Sequence, residues 1–186
     1  MADVRPISET YLADMRARFE GMRGTVERAL KQTSDDAFFR PLGGAEDNSI
    51  AIILKHMAGN LRSRFTDFLT SDGEKPDRDR DGEFEVRAGD TRDEIMRGWD
   101  AGWVTLLGVL ETLTPEQLTN TVTIRGEAHP VVSALDRQLA HHSYHAGQIV
   151  LLAKHYAGER WETLSIARGK SGAFNAEMAT EHRSSP

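Results

Sequence analysis

The chain reads as an all-α protein, a four-helix bundle with a long loop between the second and third helices and a short hairpin between the third and fourth. Three observations predict this. Apolar residues recur at spacings of three and four in four separate stretches, the period of one helix face. Start and stop signals flank those stretches. The 186 residues, 39% hydrophobic and 28% charged, suit one soluble domain with a single core. The whole of 1–186 is therefore expected to form one domain, with 176–186 as a frayed tail.

The first helix is expected over about Ser8 to Gln32, with Leu12, Met15, Phe19, Met22, Val26 and Leu30 on one face. Thr33 to Asp47 holds Pro41, Gly43 and Gly44 and reads as a connection. The second helix opens at Asn48 or Ser49, either a good N-cap. Ile50, Ile53, Leu54, Met57, Leu61, Phe65 and Phe68 carry it to about Leu69. Thr70 to Asp90 is polar and charged, a long loop of the kind often packed over a site.

The third helix starts at a T-x-x-E capping box, Thr91 and Glu94. Ile95, Trp99, Trp103, Leu106, Leu110 and Leu113 follow, and Thr114-Pro115 stops it. The Trp99/Trp103 pair reads as core, with a pocket wall or a dimer interface as the alternative. Val122 and Ile124 then alternate with polar residues before Arg125-Gly126-Glu127, which suggests a turn and with it a short hairpin. The fourth helix begins near Pro130 and ends before Gly158. Trp161, Leu164, Ile166 and Phe174 in the tail are expected to pack on the helices before the chain turns polar.

Composition excludes several functions. Cysteine is absent, which removes disulfides, thiolate metal ligands and a Cys nucleophile. The net charge of −6 argues against nucleic acid as a partner, since phosphate binding relies on basic patches. No stretch of about 18 apolar residues can span a membrane. Nothing near Met1 has the apolar run of a signal peptide, so a cytoplasmic protein is expected.

Histidine, by contrast, occurs seven times. Its densest run is Leu139-Ala-His-His-Ser-Tyr-His-Ala-Gly-Gln148 on the fourth helix. His141 and His145 stand four apart, so their rings share one face and can bind one metal ion. His142 and His145 could pair instead. At about 100° per residue, however, His142 falls within the apolar stripe and His141 beside it. His141 and His145 are therefore assigned as ligands and His142 as a core residue or a support to the ligands. His56, at the border of the second helix's stripe, is the third ligand, since facing helices of a bundle bring such positions together. Three histidines leave coordination positions open, as catalytic sites do. His129, His155 and His182 read as incidental, with His129 in a turn. Glu127 and Asp136 are candidate carboxylates near the site.

Two motifs fail. Asp77-Arg-Asp-Arg-Asp81-Gly82 begins like a calcium loop, but the Glu required at position twelve falls on Ala88, leaving a salt-bridged loop as the reading. Gly169-Lys170-Ser171 lacks the earlier glycine and the strand of a P-loop.

His56 followed by His141-x-x-x-His145-x-Gly147-Gln148 resembles the DinB/YfiT superfamily of four-helix-bundle metalloproteins. The likeness is greatest to a bacterial branch of unknown function. It extends to Asp72-Gly-Glu-Lys-Pro76, Arg80-Asp-Gly-Glu-Phe84, Ile124-Arg-Gly-Glu127 and Leu164-Ser-Ile-Ala-Arg-Gly-Lys-Ser171. The chain departs from the superfamily at Ala146, where Arg is frequent, and at Ala167, where Pro is common. The resemblance implies a divalent metal ion, zinc or nickel, on His56, His141 and His145. It implies a homodimer and a small-molecule substrate, and it admits a low-molecular-weight thiol as cosubstrate. The function expected is a metal-dependent transferase or hydrolase acting through an activated thiol or water. Its rival is a non-catalytic dimeric binding or stress-related protein with a structural or vestigial metal. Gln148 is expected to orient a ligand.

Overall fold

The computed structural model describes residues 6–44 and 46–184, with side chains described to residue 180. The protein is mostly helical. In chain order it comprises α1 (Ile7–Leu30), α2 (Asp35–Phe39), α3 (Ile50–Phe65), α4 (Arg92–Thr112), β1 (Thr121–Ile124), β2 (Glu127–Pro130), α5 (Val131–Ala157) and α6 (Ser171–Ser184). The long helices α1, α3, α4 and α5 bury their apolar stripes in one core. α3 lies along α4, α1 lies along α5, and α3 also meets α5. No helix of the described residues is long and apolar enough to cross a membrane.

α1 follows Pro6 and buries Met15, Phe19, Val26 and Leu30. The stretch expected as a plain connection contains α2. Ser34 caps that helix by accepting from the Ala37 N–H, and Phe38 anchors it in the core. A helix of five residues is too short to leave a periodic signal.

Ser49, rather than Asn48, caps α3 by accepting from the Ile52 N–H. The helix ends at Phe65, a turn earlier than expected, because Thr66 is extended and Asp67 adopts a left-handed φ of 49°. Phe68 still reaches the core, its ring 5.1 Å from that of Phe65. The capping box at Thr91 and Glu94 forms as expected. Trp99 and Trp103 are fully buried, with ring centroids 5.3 Å apart, so they are core residues. α3 and α4 approach so closely that a Cβ at Gly102 would stand 3.1 Å from the Ala58 carbonyl oxygen.

β1 and β2 form an antiparallel hairpin with Val122 opposite His129. Arg125 and Gly126 make its two-residue turn with φ of 56° and 77°, a conformation matched to the strand twist. His129 therefore lies in a strand rather than a turn. α5 runs directly from Pro130 to Gly158, whose φ is 58°, the positive value that favours glycine at a helix end. Trp161 and Leu164 pack against the core, whereas Ile166 and Phe174 are exposed. The tail carries α6, which sequence periodicity did not indicate. Its Ala, Glu and Met residues favour a helix, yet they supply no apolar stripe. The His182 side chain lies outside the described residues.

Candidate metal centre

Two polar stripes interrupt the apolar interior. On α3 they are His56, Asn60 and Arg64, each four residues from the last; on α5 they are Gln138, His141 and His145. Such spacings keep each set on one helix face. Where α3 meets α5 the stripes oppose one another. The Gln138 amide donates to Asn60 Oδ1 at 2.8 Å in a buried bond that ties the helices together. One turn away, His56 Nε2 stands 3.3 Å from His141 Nε2, and His141 Nε2 stands 3.1 Å from His145 Nε2.

That spacing fits a metal ion. Imidazole nitrogens at about 2.0–2.1 Å around a tetrahedral ion lie about 3.3 Å from one another. The donor atoms of His56, His141 and His145 all fall within 4.8 Å, and they are the one group of this kind among the described residues. The three sequence-assigned ligands are thus brought together.

The outer ring nitrogens explain why the inner ones are available. Glu83 Oε2 lies 3.0 Å from His56 Nδ1. A carboxylate can only accept, so Nδ1 carries the proton and Nε2 presents a lone pair. Gln148 Oε1 lies 2.8 Å from His145 Nδ1 and has the same effect there. Glu83 is itself held by Arg78, which donates to both carboxylate oxygens at 2.8 Å, the forked geometry of a strong charge-assisted pair. Burial alone would raise the Glu83 pKa, but the bonds from Arg78 and His56 hold it below the usual carboxylate range. The carboxylate fits only because Gly59 lacks a side chain: a Cβ there would lie against Glu83 Oε1.

Burial also favours the neutral form of His141 and His145. The His141 pKa falls to about 4, chiefly from desolvation and then from His145, His56, Arg64 and Arg137 nearby. His145 is lowered too, by burial first, although Gln148 opposes the shift. Neutral imidazoles bind metals without first losing a proton.

His142, next in sequence to His141, points the opposite way. It has no solvent exposure, and its ring stands edge-on to Trp103 with centroids 6.2 Å apart. Neither of its nitrogens has a hydrogen-bond partner, and complete burial holds its pKa far below normal. It does not replace His141 in the cluster.

The candidate carboxylates are elsewhere. Asp136 accepts from the Tyr11 hydroxyl at 2.8 Å, and Glu127 is exposed on β2 beside His129. The long loop instead supplies Glu83, a residue of the Arg80–Phe84 run to which the sequence alone assigns no role at the site. Asp81 is fully exposed, and Asp79 accepts from the Gly82 N–H and from Arg87, as a salt-bridged loop should. Asn60 and Gln138 were detectable in principle, each within a turn of an assigned histidine on the same face. A cavity of about 180 Å³ opens on His56 and His141, so the cluster is reachable by a small molecule.

No curated protein and no solved structure matches the chain. A family model matches residues 6–170, which include all three histidines of the cluster and Glu83. The chain belongs to this family, DUF1572, whose members are described as proteins of unknown function.

Proposed function

We propose that this protein is a metal-dependent enzyme of the DinB/YfiT kind, a four-helix bundle that transfers or hydrolyses a group on a small molecule. The observation that carries the reading is the convergence of the His56, His141 and His145 Nε2 atoms beside an open cavity. A divalent ion held there, zinc or nickel, supplies Lewis acidity and lowers the pKa of a water or thiol that joins it. The chain's own residues prepare that position. Glu83 and Gln148 orient two of the rings, and Arg78 keeps Glu83 ionised. Because the chain has no cysteine, sulfur chemistry requires a thiol cosubstrate.

A purely structural metal calls for a closed fourth position. The nearest loop carboxylate, Glu83, is turned to the back of His56 instead, and the cavity faces the ligands. The open site favours the enzyme over a binding or stress-related protein.

The test is metal content of untagged protein. About one equivalent of zinc or nickel is expected, and His145→Ala should abolish it. Absence of metal with no uptake on reconstitution defeats the reading. A screen of thiol cosubstrates on the loaded protein then separates transfer from hydrolysis. Sedimentation would test the homodimer that belongs to the same reading.

A further inference from the structure

The cavity beside the histidines is basic to a degree the whole chain is not. Its wall carries the guanidinium groups of Arg64, Arg78, Arg80, Arg125 and Arg137, in a protein of net charge −6. Few carboxylates answer them. Glu83 is occupied by Arg78 and His56. Glu74 is shared by Arg64 at 3.2 Å, Arg125 at 3.0 Å and Arg78 at 3.4 Å. Asp72 spends both oxygens on the backbone N–H groups of Glu74, Arg125 and Gly126.

Two arginines are left with little to do. Arg80 lies over the Phe84 ring at 5.2 Å, and its nearest carboxylate, Asp81, is 4.0 Å away and fully exposed. Arg137 makes no ion pair or hydrogen bond among the described residues. It sits one turn before His141 on α5, so its side chain and the ligand ring share a face. The crowding has an electrostatic signature. Arg64 is held below its usual pKa, first by burial and then, against the pull of Glu74, by Arg78, Arg125 and Arg137. Like charges packed around a cavity are relieved when an anion enters.

We infer that the arginine-lined cavity binds the carboxylate or phosphate group of the substrate and so fixes its position against the three histidines. Arginine suits this because its planar fork grips an oxyanion through two bonds and stays charged at any working pH. Size narrows the class. The cavity, at about 180 Å³, is well below the range of sites for drug-sized ligands, which starts at roughly 300 Å³. It accepts an anionic head group or a small acid, not a whole nucleotide. The role of this anion as substrate rests on the metal-centre reading; its binding does not.

The experiment titrates inorganic phosphate and, separately, succinate into zinc-loaded and chelator-stripped protein by calorimetry. Wild type is compared with Arg137→Gln and with Arg97→Gln, a control on the exposed face of α4. Saturable binding of at least one anion is expected in wild type and in the control. Arg137→Gln should weaken it about tenfold to a hundredfold, the value of a hydrogen bond to a charged group, with metal content and circular dichroism unchanged. The anion that binds identifies the head group as phosphate or carboxylate. Failure of both anions to bind, or equal binding by the Arg137 and Arg97 variants, overturns the inference. Anion binding to a protein that takes up no metal would sustain it while defeating the metal-centre reading. Metal uptake without anion binding would do the reverse.

Discussion

The two sides of α3 are built to opposite specifications. Toward α4 it presents Ala58 and Leu61 to the bare backbone of Gly102. At this crossing the seam is close and apolar. Toward α5 it presents His56, Asn60 and Arg64 to Gln138 and His141, and a cavity remains between them. One helix therefore carries stability on one side and chemistry on the other. Buried polar groups cost free energy even when paired, so the second seam depends on the first to hold the helices in place.

The sharpest way to test this division is to damage the apolar side. Leu61→Ala, which removes a buried side chain packed on Gly102, should cost about 2–5 kcal/mol of stability, read by urea denaturation. Molecules still folded should bind metal as before; loss of the metal at denaturant concentrations where the fold persists would show that the seams are not separate. Asn60→Leu should cost about 1–3 kcal/mol because it strands the buried Gln138 amide. Adding Gln138→Leu should recover most of that loss, and a double-mutant cycle measures it. Glu83→Gln acts on the polar side. It should weaken metal affinity about tenfold to a hundredfold, equivalent to about 1.4–2.8 kcal/mol, and it should also lower Tm without metal because the buried Arg78 loses its charged partner.

A further effect concerns acid. The fold holds His141, His142 and His145 below the 6.5 of a free imidazole, with His141 at about 4. The unfolded chain takes up protons first as pH falls, so these groups favour unfolding below that point. Metal-free protein should have its full stability from them above pH 6.5 and lose it progressively down to about pH 4. His142→Leu should flatten the Tm profile across that interval while leaving metal stoichiometry alone. A profile identical to wild type would mean that the buried ring is not held neutral.

The legible part of the molecule was the part governed by period. Apolar spacing placed the long helices, and the same rule put His141 and His145 on one face with His142 turned inward. The capping box was visible because it needs particular residues at a fixed offset, and the hairpin because its first strand alternates before a glycine turn, although Arg125-Gly126-Glu127 reads as a turn of three residues and the fold uses two. α2 and α6 were hidden for opposite reasons, one being too short to repeat and the other lacking an apolar stripe. Glu83 was hidden because a loop has no period. What selects that carboxylate is its distance to a ring 27 positions earlier and the missing side chain at Gly59, and both belong to the folded chain alone.

The contact between His56 and His141 joins positions 85 residues apart. An ion shared by the two would tie the chain into a loop of that length, as a disulfide does in proteins that contain cysteine. By the chain-entropy relation for cross-links, closing such a loop removes about 4–5 kcal/mol of freedom from the unfolded state. That is comparable with the whole net stability of a small domain. With an ion bound as proposed, the histidine cluster would act as a removable staple, and the stability of the fold would follow the supply of metal.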